Sequence, residues 1–160
     1  MGKKEVKTNA MRILERMGIP FSHREYDCGE FTDGSAVADL LGLDHDRVFK
    51  TLVAVGSDGQ HYVFVLPVDA ELDFKKCARS VGAKAVELIH QKDLFALTGY
   101  VRGGCTAVGM KKAFPTRIDE TAQLWDRIYV SGGRIGCQLL LSPEDLARAA
   151  EAEFADLTMG

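Results

Sequence analysis

Lys50 is the residue whose setting in this sequence most clearly suggests chemistry. It lies within the apolar run Val48-Phe49-Lys50-Thr51-Leu52-Val53. Apolar residues occur at both odd and even positions of this run, so we expect a strand whose two faces are both covered. A lysine there must extend to solvent, pair with an acid, or face a cavity that receives an anionic or carbonyl-bearing ligand. An edge-strand lysine that discourages aggregation is the alternative.

Two glycine clusters could supply backbone donors to such a ligand. They are Tyr100-Val101-Arg102-Gly103-Gly104-Cys105-Thr106 and Ser131-Gly132-Gly133-Arg134. Glycine lets the backbone approach a ligand closely and present N–H groups to an oxyanion or a phosphate. A pair of β-turns or bulges would use the same residues. Neither cluster matches the phosphate-binding motifs G-x-x-x-x-G-K-[ST] or G-x-G-x-x-G.

Sequence motifs for a nucleophile or a metal are missing. The chain contains neither G-x-S-x-G nor H-E-x-x-H, and its four histidines are dispersed. The cysteines are also too far apart for a zinc knuckle or a redox pair, so we expect reduced thiols, no metal and no cofactor. They are Cys28, Cys77, Cys105 and Cys137.

Alternating helix and strand patterns must position these groups. A helix capped by Thr8 or Asn9 precedes a strand over 21–27, and Asp58-Gly59 predicts a hairpin after the Lys50 strand. Residues 99–136 are expected to form strands joined by tight turns. Ser142-Pro143 begins a final helix that carries Phe154. These patterns predict a single α/β domain over residues 1–160 with a mixed sheet.

Composition agrees with one globular domain. The 160 residues are 46% hydrophobic and 27% charged, which excludes a disordered or collagen-like chain. No apolar run approaches the roughly 20 residues of a membrane span, and the polar start differs from a signal peptide. We therefore expect a cytoplasmic protein without a membrane partner.

The net charge of −3 conceals an uneven distribution. Residues 75–134 carry eleven basic and five acidic side chains, a net of +6, whereas residues 1–74 carry −5 and residues 135–160 carry −4. The basic segment contains both glycine clusters. A polyanion could dock there despite the acidic total.

Three motifs in order resemble the YbaK/EbsC family, whose best-known members are Cys-tRNA(Pro) deacylases related to the editing domain of bacterial prolyl-tRNA synthetases. They lie at 48–52, 99–109 and 129–136, and the opening residues 8–26 and the closing 142–146 also look like that family. The resemblance covers nearly the whole chain. It implies a mixed, barrel-like sheet flanked by helices and hydrolysis of the ester that joins a wrong amino acid to tRNA.

The same resemblance implies roles for individual residues. Lys50 would anchor the terminal adenosine phosphate or the substrate near the ester, and the Gly103-Gly104 backbone would polarise the substrate carbonyl. In cysteine-specific members the substrate's own thiol is thought to attack the ester and release a thiolactone, which requires no protein nucleophile. The further substrate-binding residues would be Tyr26, Thr51, Thr106 and Ser131.

Two departures from the family pattern bear on specificity. The usual G-G-x-S-P is Gly103-Gly104-Cys105-Thr106-Ala107 here, and Gln138 stands where some members have an acid. Deacylation of another small amino acid such as alanine therefore stays open, as does a non-catalytic module that binds aminoacyl-tRNA or a synthetase. A metal-dependent hydrolase is a more distant alternative. The implied partners are the acceptor end of tRNA and prolyl-tRNA synthetase.

Overall fold

Side-chain caps set the starts of most helices in the computed structural model, which describes residues 7–27 and 33–159. Four of the five α-helices within these residues begin at an oxygen that accepts a backbone N–H of the first turn. The capping residues are Thr8, Asp33, Asp73 and Ser142. The helices are α1 (Asn9–Arg16), α2 (Gly34–Leu41), α3 (Phe74–Val81), α4 (Leu94–Thr98) and α5 (Pro143–Ala150).

The described strands form two sheets. A mixed five-stranded sheet has the order β4-β2-β3-β5-β8, and an antiparallel three-stranded sheet has the order β1-β7-β6. The predicted α/β fold with a mixed sheet is thereby confirmed. The strands are β1 (Ser22–Glu25), β2 (Phe49–Gly56), β3 (His61–Pro67), β4 (Val86–Leu88), β5 (Thr116–Asp119), β6 (Ile128–Ser131), β7 (Cys137–Leu141) and β8 (Glu153–Ala155).

A gap along one edge of β2 separates the two sheets. β3 pairs with β2 along its whole length, but the opposite edge meets β4 only at 54–56 and β6 only through a parallel bridge between Val48 and Tyr129. Between these contacts, residues 49–52 have no strand on that edge in the described part of the chain. The barrel-like wall is therefore open beside Lys50.

Both faces of the five-stranded sheet are covered, as the apolar parities of β2 predict. Val63 and Val65 of β3 lie in a core cluster with α1 and the three-stranded sheet. The alternate residues Phe64 and Leu66 lie in a second cluster that includes Cys77 of α3. All four β3 side chains are fully buried, so Lys50 lies in a strand between two apolar layers.

Residues 100–115 differ from the strands expected there. This segment contains turns but no strand, and it is held by a hydrogen bond of 2.6 Å from Tyr100 Oη to Val108 O. The helical placement of Phe154 is also wrong. Helix α5 ends at Ala150, and Phe154 lies in β8 opposite Ile118. No described helix combines the length and the apolar character needed to cross a bilayer.

Candidate active site

A cavity of about 410 Å³ opens at the gap beside β2. Its volume lies within the range of small-molecule sites. Strand β2 forms one wall, the β4–α4 segment and the start of α2 form two others, and the two glycine clusters with β7 close the fourth. Five of the residues predicted from the sequence line it together: Tyr26, Lys50, Thr51, Gly103 and Ser131.

Lys50 is the half-buried cation of this cavity. Burial lowers the pKa of its ammonium group, and the charges of Asp33, Asp69 and Glu71 oppose that shift. Among the described residues, no side chain forms a hydrogen bond or an ion pair with Lys50. Because none of the described side chains bonds directly to this half-buried cation, its desolvation is only partly compensated by the three carboxylates, and the position favours an anionic ligand over a purely structural role.

The backbone of Thr51 also faces the opening. A hydrogen bond of 2.9 Å from Val68 N to Val48 O shows that the even-numbered residues of β2 bond to β3. On the other edge, Val53 O accepts a hydrogen bond of 3.2 Å from Ile89 N. Thr51 shares the parity of Val53, so its N–H and C=O point into the gap.

Gly103 and Gly104 have different surroundings. Gly104 N donates 2.9 Å to Val101 O, which closes a β-turn, and Gly103 has the φ of 85° that the third position of a type II turn requires. Gly103 lines the cavity, and its N–H has no acceptor among the described residues. Gly104 does not line the cavity. The predicted carbonyl-polarising role therefore has support only for Gly103, because the turn uses the N–H of Gly104.

Thr106 also lies outside the cavity lining, so its contact with substrate stays a prediction that the cavity does not support. The side chain is 1% exposed, and its hydroxyl accepts a hydrogen bond of 3.4 Å from Val108 N. It stabilises the turn segment rather than facing the opening. Ser131 combines both roles, since it lines the cavity while its hydroxyl accepts 3.2 Å from Gly133 N.

Four further polar residues line the cavity that the sequence did not single out as site residues, namely Asp33, Gln91, Arg102 and Gln138. Asp33 caps α2, Arg102 Nη1 donates 3.3 Å to Gln91 Oε1, and the buried Gln138 accepts 3.1 Å at Oε1 from Arg24 Nε. Arg102 could have been found from its place in the basic segment, directly before Gly103. Asp33 and Gln138 reach the site only through the packing of α2 and β7.

The cavity contains thiols but no histidine among its described lining residues. Cys105 and Cys137 both line it. Burial raises the pKa of Cys105 to about 12, so its thiol is protonated at neutral pH and is a poor nucleophile. In the described residues, no group of three or more His, Cys, Asp or Glu side chains is arranged to hold a metal ion.

The family model of the aminoacyl-tRNA editing domain matches residues 30–149. The chain belongs to this family. The match includes Lys50, both glycine clusters and the gap in the sheet, and it confirms the resemblance inferred from the three motifs. It also confirms the predicted assignment to the aminoacyl-tRNA deacylases at the level of the family.

Individual relatives agree with this assignment. The chain is 45% identical over 157 residues to EbsC of Enterococcus faecalis, which carries the provisional name Cys-tRNA(Pro)/Cys-tRNA(Cys) deacylase; the match covers 98% of this chain and 96% of EbsC. A proline–tRNA ligase of Shouchella clausii is 30% identical over 99 residues, which are 62% of this chain and 17% of the ligase.

A solved structure shows the same fold. It belongs to a protein provisionally described as a trans-editing enzyme for prolyl-tRNA synthetase. The TM-score is 0.82 at 25% sequence identity, and the match covers 97% of this chain and 100% of that one. The fold of this chain is therefore the fold of that protein over nearly the full length of both.

Proposed function

We propose that this editing domain hydrolyses the ester of cysteine wrongly attached to tRNA(Pro), acting in trans. One observation carries the proposal most strongly. Lys50, which has no ionic partner among the described residues, shares a cavity with the available N–H of Gly103, and the thiol of Cys105 there is protonated. This arrangement can bind a phosphate and stabilise an oxyanion, but it supplies no obvious nucleophile. A substrate that carries its own nucleophile fits it.

In the proposed mechanism, Lys50 binds the 5′-phosphate of the terminal adenosine. This contact fixes the ribose ester at the open edge of β2, where the N–H of Gly103 donates to the ester carbonyl oxygen. The negative charge that develops on this oxygen in the tetrahedral intermediate is stabilised by that N–H. Thr51, Tyr26 and Ser131 line the space left for the aminoacyl group.

The attacking group is the thiol of the esterified cysteine. Its sulfur forms a bond to its own carbonyl carbon, and the bond between that carbon and the ribose oxygen breaks. The thiol proton is transferred to the ribose oxygen, which leaves as the tRNA hydroxyl. The four-membered thiolactone that is released then reacts with water to give free cysteine.

Three parts of the proposal rest on the relatives as well as on the site. The name of EbsC supports cysteine as the amino acid. The matched ligase segment and the trans-editing neighbour support an association with prolyl-tRNA synthetase, which would supply tRNA selectivity that a small cavity lacks. We place residues 1–160 in the cytoplasm as one editing domain, since charged tRNA is made there.

A panel of four esters on tRNA(Pro) tests the reaction. Cysteinyl, S-methylcysteinyl, seryl and alanyl esters differ in the group that could attack the carbonyl. We expect rapid deacylation of the cysteinyl ester and a rate at least about 100-fold lower for the other three, because a hydroxyl or a blocked thiol is a much weaker nucleophile. Equal rates for the cysteinyl and alanyl esters would overturn the thiol mechanism and identify a general deacylase for small amino acids.

The same assay separates catalysis from binding. Lys50→Ala is expected to lower kcat/KM at least about 100-fold while the circular dichroism spectrum and the melting temperature are retained. Lys112→Ala removes an exposed lysine that does not line the cavity, and it is the matched control. If the wild-type protein binds the tRNA but cleaves none of the four esters, the chain is a binding module instead.

A further inference from the structure

A second cleft of about 560 Å³ adjoins the cavity and shares Lys50 with it. Leu52 and Leu88 also line both spaces, so the two adjoin along β2. Alternate side chains of β2 point to opposite faces of the sheet. The side chains of Lys50 and Leu52 therefore lie on the face toward α3, and that of Thr51 lies on the other face. A ligand held by the Lys50 ammonium can therefore extend in both directions.

Exposed apolar side chains concentrate at the second cleft. Phe74 is 43% exposed, Leu88 46% and Met159 61%. They are three of the eight large hydrophobic side chains of the described residues that are exposed to this degree. A cluster of exposed apolar groups at the rim of a cleft is typical of a binding surface. Phe74 is the first residue of α3, and its ring is partly exposed to solvent there rather than buried in the core.

The polar groups of the cleft are suited to a nucleotide. Lys75 is exposed and adds a second cation to that of Lys50. The carboxylate of Asp73 is already used, because it caps α3 by accepting from Lys75 N at 3.0 Å and Lys76 N at 3.2 Å. Glu71 is exposed, and its carboxylate has no hydrogen-bond partner among the described residues.

If the proposed function holds, the phosphodiester linkage of the tRNA end places a nucleotide at each of the two spaces. A phosphate on Lys50 joins the terminal adenosine in the first cavity to the preceding nucleotide, whose sugar and base must leave the phosphate on the other side. We propose that the second cleft binds this penultimate nucleotide, the second cytidine of the CCA end. Its base stacks on Phe74, and its exocyclic amine donates to Glu71.

Both contacts follow known patterns of recognition. Bases of single-stranded nucleic acid stack on aromatic side chains whatever their sequence. A Glu carboxylate accepts from the N4 amine of cytosine, but it finds only an acceptor at O4 of uracil. Phe74 thus accounts for affinity, and Glu71 for a preference for cytidine over uridine.

Two short substrates test the cleft without the rest of the tRNA. They are the 3′-cysteinyl ester of adenosine 5′-monophosphate and the same ester of the dinucleotide CpA. The wild-type protein is expected to show a kcat/KM at least about ten-fold higher for CpA, the effect of one stacked base. Phe74→Ala should reduce that ratio to less than about two-fold while the monophosphate rate stays unchanged. Phe95→Ala removes an aromatic ring that is 58% exposed and lines neither space, and it should retain the full ratio.

The ester of UpA tests the polar contact. We expect the wild-type protein to prefer CpA over UpA by about five-fold or more, and Glu71→Gln to abolish this preference because an amide can donate to O4 of uracil. If wild type hydrolyses the monophosphate and both dinucleotides equally well, the second cleft binds no base and the inference fails, although the proposed function stands. If none of these esters or the full-length tRNA is cleaved, the proposed function itself fails.

Discussion

Gly104 lies so close to Arg134 that a β-carbon on the glycine would be 2.9 Å from Arg134 Cα and equally close to the Arg134 carbonyl carbon. The two glycine clusters, about thirty positions apart in the chain, are therefore packed backbone against backbone. The second cluster also contacts the first at Gly133, where a β-carbon would lie 3.4 Å from a side-chain ring carbon of Tyr100. This packing holds Gly103 and Ser131 on the same cavity.

Substitution of Gly104 by alanine should separate the clusters. The neighbouring atoms are backbone, which cannot rotate away, so Gly104→Ala is expected to lower the free energy of unfolding by about 1–3 kcal/mol. We also expect kcat/KM for Cys-tRNA to fall at least ten-fold, because Gly103 moves with its turn. Urea denaturation and the deacylation assay measure the two effects.

The matched control is Gly82→Ala. Gly82 ends α3 with a φ of +73°, and a β-carbon there would meet no atom within 4 Å. Alanine in this left-handed conformation costs about 1–2 kcal/mol. The protein should be destabilised but fully active once folded. Equal losses of activity in both variants would mean that the contact between the clusters has no part in shaping the site.

The pKa of Lys50 predicts how ligand binding depends on pH. Because burial lowers this pKa, the ammonium group loses its proton at a lower pH than a free lysine does. The affinity for adenosine 5′-monophosphate should therefore decrease as the pH rises through the lowered value. Isothermal titration between pH 7 and pH 10.5 would measure it. Lys50→Arg should keep its affinity across this range, since arginine stays charged, and an identical decrease in the variant would contradict the assignment.

Cys105 is expected to be dispensable for catalysis despite its place in the cavity. Its thiol is protonated at neutral pH because burial raises its pKa to about 12. Cys105→Ala should therefore retain kcat/KM within about five-fold, and iodoacetamide should modify the wild-type thiol slowly at pH 8. A loss of 100-fold or more at unchanged stability would identify Cys105 as a nucleophile and overturn the substrate-thiol mechanism.

His45 links α2 to the segment after β3 and should make stability depend on pH. Its Nε2 lies 2.7 Å from Asp39 Oδ1 and its Nδ1 lies 2.7 Å from Asp69 Oδ2. The hydrogen bond to Asp39, followed by that to Asp69, raises the pKa of His45 above 6.5. Stabilisation by the imidazolium is thus complete below pH 6.5 and is lost as the pH rises through the higher folded-state value.

The protonation of Asp69 determines the low pH at which its contribution to stability is lost. Hydrogen bonds from Ser35 and from His45 lower its pKa below 3.8, so its contribution is present above pH 3.8 and is lost as the pH falls through the lowered value. His45→Gln should therefore destabilise the protein more at pH 5.5 than at pH 9 when urea midpoints are compared. A difference that does not depend on pH would show that the imidazole acts by packing alone.

Much of this protein could be predicted from local patterns. The caps at Thr8 and Ser142, the hairpin at Asp58-Gly59 and the mixed sheet all follow from residue types a few positions apart, and the structure confirms them. The family assignment is confirmed for the same reason, because the three motifs keep their order along the chain. Segment 100–115 could not be predicted in this way, since glycines permit turns and strands alike.

The sequence by itself determined that Lys50 lies in a strand covered on both faces and that no phosphate-loop or metalloprotease motif is present. Only the tertiary structure decided which backbone groups remain available. A β-turn uses the N–H of Gly104 and leaves that of Gly103, and the separation of β4 from β6 leaves Thr51 on an open edge. The structure also decided that Lys50 lines two adjoining spaces. These properties depend on hydrogen bonds and packing between segments that are distant in the chain, which no local pattern encodes.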